Sequence, residues 1–485
     1  MNVFFVMLRS FLLLLSVSLS ICTATYAKIQ LPEILNGNMV LQQNTSVKLW
    51  GKATPDVRVT ICTSWDDKKY IVQSDAGGNW LVVVETPKGD YTPRHIDVSD
   101  GEAVRIDNVL IGEVWFCSGQ SNMEMPLGGF LDASTQGGNE TIATAHLKKG
   151  IRVATVKKEG AHIPQEICAG SWAVCSPENA PKFSAVGYYF AERLNQVLDV
   201  PVGIINCSWS GSRIEGWLPR EILKDYRNVD LSKAEFSNRR HFHAGVPTIM
   251  YNGMVKPLMN YTIKGILWYQ GEANVKDYVY YADRMVALVN RWRKDWGLGD
   301  LPFYMAEIAP FEHAGKGEFA AFLREAQYKA VARLSRCGII CTNDLVYPNE
   351  RKQIHPCQKR AVGDRFAYMA LNRDYGYKDI ACDSPVYKEM TVKDSVAVIS
   401  FNHVNGFSSY CEYTGFEIAG EDRVFHPAQA KTDYRTRTVS VWSVTVKKPV
   451  AVRYCFRNFQ LGNLKTNRGL PFVPFRTDDF LPETD

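Results

Sequence analysis

Four short polar stretches hold residues whose types could do chemistry together: "GQSNMEM" around Ser121, "SWSGSR" around Gly211, "YQGEAN" from Tyr269 to Asn274, and "QIHPC" around His355. A serine hydroxyl is a weak nucleophile. It attacks a carbonyl only when a base takes its proton and hydrogen-bond donors receive the charge that develops on the carbonyl oxygen. Ser121 supplies the hydroxyl, and Gly119 lets the backbone bend just before it. A glycine at 211 allows a backbone N–H to approach a substrate oxygen closely. Gln270 and Asn274 carry neutral amide donors of the kind suited to an oxyanion. His355, held by the following Pro356, is a candidate base. Singly, each stretch is more often an ordinary turn, cap or structural residue than a site.

The elements that must position these residues alternate in type. From about 109 to 380, strand-like runs ("VLIGEVWFC", "VGIINCSW", "IKGILWYQ", "LPFYMAEI", "CGIICTND") are separated by amphipathic stretches such as "VGYYFAERLNQVL" and "YYADRMVALVNRWRKDW". That alternation predicts a parallel sheet flanked by helices, an α/β architecture, with ligands at the carboxyl ends of its strands. The polar stretches at 121, 211 and 270 each follow directly on such a run. Residues 28–108 and 383–485 instead show short β-branched and aromatic runs broken by turn residues, which predicts accessory β-sandwich regions at both ends. The expected organisation is a leader at 1–27, an N-terminal β-sandwich at 28–108, a catalytic unit at 109–382 and a C-terminal β region at 383–485.

The 485 residues are 46% hydrophobic and 22% charged with a net charge of +5, which is enough apolar material for a sizeable core. Basic residues are scattered and form no run interleaved with aromatics, so nucleic acid is not an expected partner. The leader combines Arg9, an apolar stretch from Phe11 to Ile21 and small residues ending at Ala27, the pattern of a secretory signal peptide. Export, to a periplasm or out of the cell, is therefore expected, with no stable membrane insertion after the leader is removed. An exported chain permits disulfides, and among twelve cysteines the pairs Cys168/Cys175 and Cys337/Cys341 are close enough in sequence to be candidates. Only His241 and His243 approach a metal-ligand spacing, and no metal or cofactor is expected.

Taken in order, the four blocks resemble those of the SGNH hydrolases. More closely, the chain resembles the sialate O-acetylesterase family, through "MVLQQ" (39–43), "GEVWFCSGQSNMEMP" (112–126), "YNGMVKPL" (251–258), "WYQGEAN" (268–274), "IHPCQKRAVGDR" (354–365) and "PFVPFRTDDF" (471–480). The resemblance implies an SGNH-hydrolase-like fold and hydrolysis of O-acetyl groups from sialic acids or sialoglycans, at the 9-position, through an acetyl-serine. It makes Ser121 the nucleophile and His355 the base. The oxyanion donors it implies are the N–H groups of Ser121 and Gly211 with the amide of Asn274, Gln270 sharing or replacing the last. Arg213 and Trp209 are candidate substrate contacts. Two alternatives share the same blocks: an acetylesterase for another glycan such as acetylated xylan, and a non-catalytic glycan-binding protein on an esterase scaffold.

The chain departs from the SGNH pattern at the acid. Many of these enzymes place an aspartate three residues before the histidine, and Lys352 stands there. Asp344 or Glu350 folding back, or a Ser-His dyad with no acid, are the options left open.

Overall fold

The computed structural model describes residues 29–236, 243–313, 318–410 and 412–481. The leader at 1–27 and His241 lie outside the described residues. The central sheet is built from β1 (Ala103–Gly119), β2 (Ile151–Val156), β3 (Gly170–Val174), β4 (Val202–Ser208), β5 (Gly265–Tyr269), β6 (Phe303–Ala306) and β7 (Cys337–Ile340). Their order across the sheet is β7-β6-β5-β1-β4-β2-β3. Every neighbouring pair is parallel except β2 with β3. The core strands are buried on both faces, as a parallel sheet covered by helices requires.

One layer of helices comprises α2 (Ala185–Leu198) and α5 (Lys359–Asp374), packed with Trp115, Leu267 and Tyr304 into one apolar cluster. On the other face α3 (Tyr278–Trp296) and α4 (Phe319–Val331) bury Leu288, Trp292, Leu323 and Ala330 against Phe116, Ile266 and Met305. The sheet order reverses around β1: the chain first builds β2 to β4 on one side of it, then β5 to β7 on the other. A crevice forms at the carboxyl ends of strands that flank such a switch point. Here those are β1, β4 and β5, the three strands that precede the serine, glycine and glutamine blocks.

The N-terminal β region joins this sheet through a shared strand. The first half of β1 pairs antiparallel with Asp90–Ser99, placing Val104 opposite Val98 and Ile106 opposite Ile96. Its second half enters the parallel sheet, and Val47, Val59 and Trp80 lie in the same apolar cluster as Phe116. The C-terminal region comprises two four-stranded antiparallel sheets around their own core, including Ile399, Ile418, Val441 and Val452. Ion pairs tie it to the α/β unit: Arg453 to Glu318 at 2.7 Å, Arg476 to Glu325 at 3.0 Å and Lys465 to Asp344 at 2.8 Å.

Both candidate disulfides are corrected by this fold. Cys168 and Cys175 flank the extended strand β3, and Cys337 and Cys341 bracket β7. Extended backbone rises about 3.3 Å per residue, which separates each pair beyond the ~7 Å that a disulfide bridges. All four are free thiols.

Candidate active site

A cleft of about 480 Å³ opens at the carboxyl ends of β1, β4 and β5. Ser121, Gly211 and His355 line it, together with Gln120, Phe130, Asp132, Ser210, Glu272, Ala273 and Ile354.

Ser121 opens a single helical turn, α1 (Ser121–Glu124), immediately after β1. The bend depends on Gly119. Its φ is +136°, and a Cβ at this position would sit 2.1 Å from the carbonyl oxygen of Tyr269 at the end of β5. The next N–H, from Gln120, donates to that same carbonyl at 3.0 Å. The serine is thus fixed by backbone contact between two adjacent strand ends. Glu124, three residues on, accepts from the backbone N–H and the hydroxyl of Ser210 at 2.6 and 2.9 Å, while Lys158 holds its other oxygen at 2.7 Å. That clamp sets the Gly211 loop against the serine. Gly211 has φ +72°, and among the described residues a Cβ there would meet only the Ala244 methyl at 3.9 Å, so glycine serves here by its left-handed backbone. Among the described residues, neither the Ser121 N–H nor the Gly211 N–H donates to another backbone group.

His355 lies on the loop between β7 and α5. The Ile354 carbonyl accepts from the Asn122 side chain at 3.0 Å, and the His355 N–H donates to the Gln353 side chain at 3.1 Å. The Phe130 ring stands edge-on to the imidazole with centroids 5.0 Å apart. Burial, and then the charge of Lys359, push the imidazole below the usual histidine range; Asp132 and Glu124 oppose this. A neutral imidazole is the form that accepts a proton. Its Nδ1 is buried and makes no hydrogen bond.

Four residues expected at the site stand outside the cleft lining, each for a visible reason. The buried Gln270 amide donates to the Ser212 carbonyl at 3.0 Å and to the Asn274 side chain at 2.9 Å. Asn274 accepts from the Ile214 N–H at 2.9 Å and gives its NH2 to both oxygens of Glu215 at 3.2 and 3.1 Å. Both amides are spent stitching the second and third loops together. Arg213 is committed to Asp277, Glu215 and the Ala273 carbonyl. Trp209 is half-buried against the core. The upstream carboxylates are likewise engaged. Asp344 pairs with Arg365 at 2.7 and 2.8 Å as well as with Lys465, and Glu350 accepts from the Tyr347 and Cys357 N–H groups at 2.8 and 2.9 Å.

Sequence reasoning missed three residues. Gln120 lines the cleft, with its side-chain oxygen held by the Gly271 and Ala273 N–H groups at 3.1 and 3.4 Å, which leaves its NH2 end as the remaining donor. Asn122 is buried beside the serine and bridges three elements: it receives Lys359 at 2.6 Å and donates to Glu272 at 2.5 Å and to the Ile354 carbonyl. Lys359 is buried, and that burial brings its ammonium down to about 7. Burial also raises the Glu272 carboxyl, whose second oxygen has no hydrogen bond. Direct adjacency to Ser121 was the available signal for Gln120 and Asn122. Lys359 lies in the same block as His355, four residues on, and that proximity was the available signal for it.

Residues 111–372, which span every one of these groups, match the family described as carbohydrate esterase, sialic acid-specific acetylesterase. The chain belongs to this family. It is 25% identical to the mouse sialate O-acetylesterase, covering 91% of this chain and 93% of that one, and 23% identical to the human enzyme, with 91% of each covered. Among solved structures, a carbohydrate acetylesterase from Xanthomonas citri superposes with a TM-score of 0.83 at 34% identity, over 93% of this chain and all of that one. Family membership thus covers the central sheet, and the relatives extend the likeness across both β regions.

Proposed function

We propose that the protein is an exported serine esterase that removes O-acetyl groups from sialic acids, with the 9-position as its principal site. The observation that carries the reading is one cleft lined by Ser121, Gly211 and His355, at the switch point of the sheet. In this reading Ser121 Oγ attacks the acetyl carbonyl while His355 takes its proton. The N–H groups of Ser121 and Gly211 receive the oxyanion, and the Gln120 amide takes the third place expected of Asn274. The sugar oxygen leaves with the proton held by His355. Water, activated by the same imidazole, then releases acetate.

The lining supports the position of the ester. Among the described residues it includes Asp132 and Glu272 and no arginine or lysine. None of these described lining residues offers a cation to the carboxylate of a sialic acid. Its 9-hydroxyl ends a three-carbon chain remote from that carboxylate, so a 9-O-acetyl group can enter while the charged end faces solvent. Residues 1–27 fit this reading as a signal peptide, and 28–108 and 383–485 as accessory β regions flanking a catalytic unit at 109–382. No helix among the described residues is long and apolar enough to cross a membrane.

The test compares acetate release from 9-O-acetylated sialic acid and from acetylated xylo-oligosaccharide, for wild type and Ser121→Ala. Release from the sialic acid, reduced by about 10³-fold or more in Ser121→Ala, is expected. Release only from the xylan fragment would reassign the substrate. Absence of both from the folded protein would favour a glycan-binding role.

A further inference from the structure

The position that carries the acid in many SGNH enzymes is Lys352 here, and the histidine still needs a partner. A buried imidazole that gains a charge at Nε2 must donate its Nδ1–H to something. Nδ1 of His355 has no hydrogen bond, and both upstream carboxylates are committed elsewhere. Among the described residues, the charged groups around the ring are few. Lys359 comes from α5 and Glu124 from α1, where it is held by Ser210 and Lys158. Glu272 faces from the third loop and is held by Asn122. Asp132 comes from the turn Phe130–Ala133.

Asp132 alone among these carboxylates has a free side chain: it makes no hydrogen bond or ion pair among the described residues, and it lines the cleft with His355. Its turn is fastened to the histidine loop on both sides. The Gln353 side chain donates to the Asp132 carbonyl at 2.8 Å and accepts from the His355 N–H, so one amide staples the two backbones together. Phe130, two residues before Asp132, packs on the imidazole itself. The residue two places before the histidine does not supply an acid; it brings one in from elsewhere in the chain.

Resting on the proposed esterase reading, we infer that Asp132 is the positioning acid of His355, its carboxylate accepting the Nδ1–H and stabilising the imidazolium. The side chain gives up no other partner in making this contact, and catalytic hydrogen bonds commonly tighten only once substrate is bound. When Ser121 Oγ forms its bond to the acetyl carbon, its proton passes to Nε2. When the bond from that carbon to the sugar oxygen breaks, the same proton passes to the sugar oxygen. Asp132 gains no proton in either step.

The experiment measures kcat/KM against pH with 4-nitrophenyl acetate, whose hydrolysis does not depend on the sugar, for wild type, Ser121→Ala, Asp132→Asn and Asp132→Glu. Asp132 is exposed, so its variants are expected to fold. Asp132→Asn should lower kcat/KM by about 10- to 100-fold, acting on kcat, and move the acid limb to lower pH. Asp132→Glu should recover part of both. Wild-type rate and limb in Asp132→Asn, with Ser121→Ala inactive, would overturn the role of Asp132 and leave the esterase reading standing. A raised KM with an unmoved limb would also overturn it, marking Asp132 as a substrate contact. Activity surviving in Ser121→Ala would overturn both readings.

Discussion

On one side of the cleft Ser121 and Gly211 sit at the ends of parallel strands, held by backbone against backbone; on the other, His355 sits on a loop held by side chains. The serine side has no slack. Gly119, Gln120 and Tyr269 interlock where β1 meets β5, and Glu124 locks the Gly211 loop onto the same turn. The histidine side is adjustable: its loop hangs on Asn122, Gln353 and the Phe130 ring. The sheet therefore fixes where Ser121 stands, and a few polar side chains fix where His355 meets it. Substitutions on the first side should act through structure and be severe. Those on the second should be graded and readable in pH dependence.

Among substitutions that leave Ser121 and His355 in place, the largest effect is expected at Gly119. Alanine there combines a disfavoured positive φ with a Cβ driven into the Tyr269 carbonyl, so the two strand ends must separate. Loss of about 3 kcal/mol or more of stability is expected, visible as a lowered Tm. In whatever protein remains folded, kcat should fall by roughly 100-fold from misplacement of Ser121. A Gly119→Ala protein with wild-type Tm and rate would show that the serine side is no more rigid than the other. Next comes Asn122→Ala, which cuts the link between the sides. It leaves Lys359, one oxygen of Glu272 and the Ile354 carbonyl without their partner, at about 1–3 kcal/mol for each buried group left unsatisfied. A roughly 10-fold loss of kcat is expected as the histidine loop drifts. Thermal denaturation with acetate-release kinetics separates the two parts, and loss of stability without loss of rate would mean the loop is held from elsewhere.

The same contrast explains what the sequence disclosed. The α/β alternation, the strands and the cleft at their carboxyl ends were readable because a buried parallel sheet writes itself as apolar runs, and each run here ends in an abrupt polar break. Ser121, Gly211 and His355 were weak signals singly and were singled out by the resemblance of the four blocks taken in order; the structure lines one cleft with all three. The roles of Asn274, Gln270 and Arg213 were not readable. An amide or guanidinium near a strand end can face a substrate or stitch two loops together, and only the partners decide. Here Glu215 and Asp277, distant in pattern and adjacent in space, take those groups out of the cleft. Asp132 escaped notice because its turn carries no motif of its own, and Lys359 because, although it lies in the same block as His355, nothing in the sequence shows that its side chain is buried beside the imidazole.

The smallest and most diagnostic effect is expected from Lys359→Met. The substitution keeps the volume of a fully buried side chain while removing its charge and its hydrogen bond to Asn122. Burial holds the Lys359 ammonium down to about 7, so it carries charge as the pH falls into the range in which His355, depressed below the usual histidine value, takes up its proton. That charge disfavours the imidazolium and adds to the effect of burial. Removing it leaves burial alone, so the His355 pKa should rise and the acid limb of kcat/KM should move to higher pH, with the plateau rate changed only a few-fold. The direction is opposite to that expected for Asp132→Asn, because the two groups carry opposite charges beside the same ring. Equal and opposite movement of the limb would identify His355 as the group that titrates and the histidine side as the tunable half of the site. An unmoved limb in Lys359→Met would mean that Asn122 and Glu272 shield the charge from the imidazole, and that burial alone sets its pKa.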